Sequence, residues 1–238
     1  MTRDQIRDAD GVALYRHEAI AAVLQVRRVD DVERLTVLLS RRRDEPFAGL
    51  FALPSGAVET GEALDAAVLR HLAAKVDVSG VTHLEQLGTR SDPGRDPAQR
   101  TIATSYLGLV PTSSDPALPQ RARWEPVDAL PALAFDHGIV VAEAVERLRA
   151  KLSYTNLGFA LMATEFTIAE LREVYVAALG HDVAPTNLQR VLTRRGQLVP
   201  TGELSRAGAR GGRPARRFRF AEASLIVTDP FAVLRPDG

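Results

Sequence analysis

Leu35-Thr36-Val37-Leu38-Leu39 is a near-continuous apolar run. A strand of this composition has no face to give to water, so the sheet that holds it must be covered on both sides. A companion run, Ile20-Ala21-Ala22-Val23-Leu24, lies upstream across a polar connection, Asp30-Asp31-Val32-Glu33. The pattern predicts strands over 19–25 and 34–40 inside a layered α/β arrangement.

The segments that follow alternate in the same way. Phe51-Ala52-Leu53-Pro54 leads into a turn at Ser55-Gly56, and Glu62 to Ala74 reads as a helix with Leu64, Ala67, Val68 and Leu72 on one face. Thr101 to Val110 is another strand, set off by a turn-rich loop at 90–97 and a second loop at 111–119. Asp136 is placed to cap a helix running to about Leu152, whose apolar residues are Ile139, Val140, Ala144 and Leu148. That helix closes an α/β domain, and the boundary falls near Ser153-Tyr154-Thr155, dividing the chain into 1–153 and 154–238.

The second part begins with a short apolar helix from Leu157 to Met162. Thr167-Ile168-Ala169-Glu170 is a capping box that opens a helix with Ile168, Leu171, Val174, Tyr175 and Ala178 on one face, ended by Gly180. Pro185 starts the next helix, which runs to about Arg195. Leu188, Val191 and Leu192 face inward there; Thr186, Asn187, Gln189, Arg190, Thr193 and Arg194 face outward. Gln197 to Leu204 and Arg216 to Phe220 read as paired strands joined by a Gly/Arg loop at 207–214.

Charge separates the two parts although the net charge is zero. Residues 1–150 carry 18 Lys+Arg and 22 Asp+Glu; residues 151–238 carry 12 and 8. Within 190–219 there are nine arginines and a single acid, Glu203. Such asymmetry points to a polyanion partner for the second part. Helix, turn, helix and basic hairpin is the order of a winged helix-turn-helix, whose second helix enters the DNA major groove. Asn187 and Gln189 suit adenine, and Arg190 or Arg194 suits guanine or phosphate, with Thr186 on the same exposed face. Arg210, Arg213 and Arg216 of the hairpin are placed for phosphate contacts or a minor-groove arginine. Sparse aromatic residues argue against reading single-stranded RNA by stacking.

No cysteine is present, which excludes disulfides, thiolate zinc sites and a cysteine nucleophile. The histidines show no metal-ligand spacing, and no Ser/His/Asp arrangement is readable. Met1 to Arg7 has no apolar core to serve as a secretory signal, and no apolar run approaches the roughly 20 residues that span a bilayer. The expected location is the cytoplasm, with no membrane partner.

The chemistry-bearing motif lies at Gly56, Glu62 and Arg70, spaced as in the Nudix box: Gly, five residues, Glu, seven residues, Arg. In the hydrolytic form three glutamates follow at i, i+3 and i+4 and hold divalent cations against a diphosphate. Here those positions hold His71, Ala74 and Lys75, and Ser55 stands where glycine is usual. Glu62, with Glu59 nearby, is a poor site for a cation that wants several oxygen ligands. Neither metal binding nor catalysis is expected. Two readings of His71 and Lys75 are open: they offset the diphosphate charge themselves, or they are surface residues. Arg42 and Arg43, in the run Arg41-Arg42-Arg43, either face a phosphate or form a solvated strand end. Arg95 and Arg100 flank the 90–97 loop and would order it around a ligand.

Both parts together resemble the Nudix-related transcriptional regulators of NAD metabolism. Beside the box, the resemblance rests on the stretches 47–56, 84–89 and 133–137, on Arg95-Asp96-Pro97 with Arg100, on Phe166 to Leu171 with Val174-Tyr175, on Thr201-Gly202-Glu203, and on 212–215. It implies an α/β Nudix-like domain, a mixed sheet between helices, followed by a winged helix-turn-helix. It further implies a homodimer that binds a palindromic operator, represses NAD biosynthesis or salvage genes, and senses ADP-ribose or NAD without hydrolysing it or needing a cofactor. The ligand set would draw on Arg42, Arg43, Ser55, Gly56, Glu62, His71, Lys75 and Arg100. The rivals are an active ADP-ribose pyrophosphatase with an appended DNA-binding domain and a protein-binding adaptor.

Overall fold

The computed structural model describes residues 6–76, 80–205 and 214–229. Ten strands and four α-helices are formed among them. The long strands β1 (Arg16–Val29) and β2 (Val32–Arg41) meet at Asp30 and Asp31, both at positive φ (49° and 62°). Two such residues make the tight turn whose twist suits a hairpin, and Asp tolerates it better than most residues. Ala19 to Val26 and Leu35 to Leu39 are buried without alternation, as strands covered on both faces require.

The first sheet has the order β3-β2-β1-β6-β5, with β3 (Phe51–Ala52), β5 (His83–Arg90) and β6 (Thr101–Leu109). Off this path, β4 (Ser55–Ala57) pairs β1 and β7 (Ala122–Pro126) pairs β2. Those two pairings and that of β2 with β3 are antiparallel, while an isolated bridge from Phe51 to Leu133 is parallel. The helices of this part are α1 (Leu64–Val76) and α2 (His137–Tyr154). β5 and β7 have no counterpart in the sequence reading. Both are half-buried, and β7 is five residues long and ends in Pro126, so neither shows a clean period.

Helix α2 departs from expectation at two points. Ile139 is 53% exposed rather than packed inward. The Asp136 carboxylate is held by Arg90 and Arg95, at 2.6 and 2.9 Å, while it is the Asp136 carbonyl that receives the Ile139 and Val140 amides.

Two compact units divide the chain. Among the described residues, one gathers those up to Leu24, Thr36–Gly108 and Pro116–Ala144; the other gathers Gln25–Leu35, Leu109–Asp115 and those from Val145 onward. The second unit holds a 3-10 turn at Leu157–Ala160, then β8 (Phe166–Thr167), α3 (Ile168–Leu179), α4 (Pro185–Arg194), β9 (Leu198–Leu204) and β10 (Arg216–Phe220), with sheet order β8-β10-β9.

Local signals place these elements. Both halves of the Thr167 capping box are made, at 3.3 Å to the Glu170 amide and 2.6 Å from the Thr167 amide to the Glu170 carboxylate. Gly180 ends α3 at φ 78°, where a Cβ would also lie 2.6 Å from the Arg149 guanidinium. Pro185 opens α4, which needs no amide at that position. Buried Asn156 takes the Ile226 amide and donates to the Glu222 and Ser224 carbonyls, pinning the segment after β10 beneath the 3-10 turn.

Candidate ligand pocket and nucleic-acid interface

In the first unit, Pro54 ends a buried run and β4 follows against β1, so the backbone of Ser55 and Gly56 is presented to α1. A cavity of about 220 Å³ opens there. It is lined by Ser40, Arg41, Arg42, Arg43 and Asp44 from the end of β2, Ala52 to Ser55, Lys75 from α1, and Arg121. Of the expected ligand residues, Arg42, Arg43, Ser55 and Lys75 therefore meet. Arg121 joins them from the connection before β7, far off in sequence and with no local signal. Pockets that engulf whole ligands run to roughly 300–1,000 Å³, so this one suits an anionic head group, with the remainder of a nucleotide outside it.

The lining carries five cations and one acid, Asp44. Among the described residues no carboxylate pairs with Arg41, Arg42, Arg43, Arg121 or Lys75. Arg42 is positioned by the Pro46 carbonyl at 2.9 Å and lies 4.7 Å over the Phe135 ring. Lys75 extends from α1 to give its ammonium to the Ser55 carbonyl. Much of that side chain is exposed, yet its pKa lies below the usual lysine range. Desolvation of the ammonium is the main cause; Glu18 opposes it, and Arg16, Arg42 and Arg121 add to it.

Gly56 and His71 lie behind this wall rather than in it. His71 is buried at 8% exposure, and its Nε2–H donates to the Ala57 carbonyl at 2.9 Å. Burial lowers its pKa, and the nearby Lys75 and Arg70 charges act the same way against the favourable carbonyl bond. It is a neutral wedge between α1 and β4, neither a surface residue nor a charge facing a phosphate; the surface reading fails for it. Glu62 is engaged by Arg70 through two bonds of 2.7 Å, and by the Glu59 amide at 3.1 Å. The Arg70 bonds hold its carboxyl down at about 2. Arg70 also donates to the Ala57 carbonyl, so the pair fastens the box loop to α1.

Arg100 lies outside the cavity. It donates to the Ser91 carbonyl at 2.8 Å and lies 5.4 Å over the Tyr15 ring. Arg95, 8% exposed, orders the 90–97 loop onto Asp136. His137 is buried and accepts the Leu53 amide at Nδ1, which puts its proton on Nε2; burial drives its pKa to about 3.

A divalent cation does not fit this donor set. Box positions 71, 74 and 75 offer an imidazole buried away from the cavity, a methyl and an ammonium, and Glu62 is committed to Arg70. No group of three or more His, Asp or Glu side chains among the described residues is arranged to hold a metal ion.

In the second unit, α4 buries Leu188 and Leu192 and exposes Thr186, Asn187, Gln189, Arg190, Thr193 and Arg194. The Asn187 side-chain Oδ1 accepts from the Arg190 guanidinium at 2.7 Å, which sets both on one stretch of the helix. Arg195, by contrast, turns away to the Ser153 carbonyl and Asp229. Arg216 is exposed at the start of β10, beside an irregular register between Arg216 and Phe218; Arg219 is exposed farther along the strand. Arg210 and Arg213 lie outside the described residues. No helix is long and apolar enough to cross a membrane among the described residues.

These features define a two-part chain, a Nudix-type fold with a cationic cavity against its box and a helix-turn-helix unit with a β hairpin. Comparison with known proteins agrees. The NUDIX domain family matches residues 16–147, and the NrtR DNA-binding winged helix domain matches 158–220. A protein of Acinetobacter baylyi, the ADPR responsive transcriptional repressor NtrR, is 31% identical over 198 residues, 80% of this chain and 78% of that one. An ADP-ribose pyrophosphatase of Methanocaldococcus jannaschii is 33% identical over 144 residues, 58% of this chain and 79% of its own. The crystal structure of Shewanella oneidensis NrtR complexed with a 27mer DNA has a TM-score of 0.71 at 29% identity, covering 85% of this chain and 92% of that one. The chain belongs to the NrtR family, in which a NUDIX domain is joined to a winged helix domain.

Proposed function

We propose that the chain is a DNA-binding transcriptional regulator, a repressor of NAD biosynthesis or salvage genes. Its Nudix domain (1–153) senses ADP-ribose, or NAD itself, without hydrolysing it, and its winged helix (154–238) holds the operator. The observation that carries this reading is the presence, in one chain, of a cavity lined by five cations and one acid against the Nudix box and a polar, arginine-bearing exposed face on α4. The A. baylyi relative is ADPR responsive and a repressor, and S. oneidensis NrtR was crystallised with DNA.

In this mechanism Arg42, Arg43, Ser55, Lys75 and Arg121 hold the diphosphate, and Gly56, Glu62 and His71 shape the wall that carries them. Thr186, Asn187, Gln189, Arg190, Arg194 and Arg216, with Arg210 and Arg213, contact DNA. A homodimer sets two α4 helices against the halves of a palindromic operator, roughly 34 Å or a multiple apart. Ligand that prefers one arrangement of the dimer changes operator affinity by that preference and no more.

The test is to sequence DNA that co-purifies with the protein, then titrate ADP-ribose and NAD into the protein–operator complex. A regulator of this kind gives a discrete operator whose occupancy responds to one of them; binding to any DNA alike, indifferent to both, removes the reading. The pyrophosphatase alternative draws on the M. jannaschii relative. It predicts AMP release from ADP-ribose with Mg²⁺, whereas the donor set here predicts none.

A further inference from the structure

Among the described residues no carboxylate makes an ion pair with the cavity's cations, and a lysine occupies a box position that holds a metal-binding glutamate in the hydrolytic motif. Replacing a glutamate by lysine at one position reverses the local charge: a site built to attract a cation becomes one that repels it. The same reversal supplies what the cation supplied, positive charge beside a diphosphate. Lys75 reaches the cavity wall through the Ser55 carbonyl, one helical turn beyond the buried His71, while Arg42 and Arg121 flank it. A flexible ammonium with three donors can keep donating to its carbonyl and still donate to a phosphate oxygen.

We propose that the Lys75 ammonium takes the place of the divalent cation of the hydrolytic motif, so that this cavity binds a diphosphate without metal. The proposal deepens the sensing function and rests on the cavity's being its ligand site. It goes further in making the response independent of magnesium and in assigning the replacement to one residue. His71 takes no part, because its ring is turned to Ala57.

The experiment measures equilibrium affinity of the full chain for inorganic pyrophosphate and, separately, for ADP-ribose, each in EDTA and in Mg²⁺. Wild type is expected to bind pyrophosphate in EDTA and to gain less than about threefold from Mg²⁺. Lys75→Met should weaken pyrophosphate binding in EDTA by about tenfold or more, the loss of one charge-assisted hydrogen bond. Lys75→Arg should retain most of it, and circular dichroism of all variants checks the fold. Lys75→Glu should abolish binding in EDTA. Wild-type affinity that rises tenfold or more with Mg²⁺, unchanged affinity in Lys75→Met, or no pyrophosphate binding in EDTA overturns the proposal. ADP-ribose reports on the other question. Pyrophosphate bound in a Lys75-dependent way without any ADP-ribose binding would sink ADP-ribose as effector and leave the charge replacement standing.

Discussion

The His71 ring occupies the space that a side chain at Gly56 would need: a Cβ built there lies 2.1 Å from His71 Cε1. The box glycine is required in this chain by close approach rather than by a left-handed backbone. Gly56→Ala must displace the His71 ring and disturb its bond to the Ala57 carbonyl, on the helix that carries Lys75 one turn on. Overpacking of this kind costs about 1–3 kcal/mol. We expect a lowered Tm and weakened ligand binding in Gly56→Ala, and partial recovery of Tm in Gly56→Ala/His71→Ala, a coupling readable as a double-mutant cycle. Additive losses would show that the two residues do not share this space.

Stability should fall on mild acidification, chiefly because of His137. Its burial holds the folded pKa near 3, while an unfolded histidine titrates near 6.5. Between those values the unfolded chain takes up a proton that the folded chain refuses. The contribution is therefore full above about pH 6.5 and is lost as pH falls toward 3, by up to about 1.4 kcal/mol per pH unit. His71, also lowered by burial, acts in the same direction. Urea unfolding at about pH 7 and pH 5.5 measures the slope. His137→Gln keeps an acceptor for the Leu53 amide and should flatten it; an equally steep slope in that variant assigns the effect elsewhere.

The parts of this molecule that were legible in the sequence are those set by neighbours in the chain. Thr167 and Glu170 are three apart, Gly180 follows the last helical residue, and Pro185 precedes the next helix, so each boundary is written locally. Motif spacing alone points to Lys75. The burial of His71 was also within reach, since it falls on the stripe of Leu64, Ala67 and Val68. Arg121 was not, because only the folding of the connection before β7 onto the end of β2 brings it to the cavity. Ile139 has the right residue type for burial and the wrong azimuth on α2, which periodicity over one helix does not fix.

The capping box at the head of α3 offers a test of the helix-turn-helix frame that leaves the DNA-facing residues untouched. Thr167→Ala removes the acceptor for the Glu170 amide, at a cost of about 1 kcal/mol. Because β8 supplies Thr167 and pairs with β10, the loss should appear as faster amide exchange in α3 and β10 rather than in the Nudix sheet. Uniform loss of protection throughout the chain would mean that the cap acts on global stability instead.

Arg190 and Arg194 should contribute to DNA affinity in different ways, and salt separates them. Arg190 is tied to Asn187 on the exposed face of α4, where a bidentate contact to guanine is possible; Arg194 lies at the last turn of the helix. Arg190→Ala is expected to cost about 1–3 kcal/mol on the specific operator and little on unrelated DNA. Arg194→Ala, acting on phosphate, should weaken both alike and reduce the slope of log affinity against log salt by about 0.9. Fluorescence anisotropy across a salt series on operator and scrambled DNA measures both effects. Wild-type affinity and slope in both variants would move the protein–DNA interface off this helix.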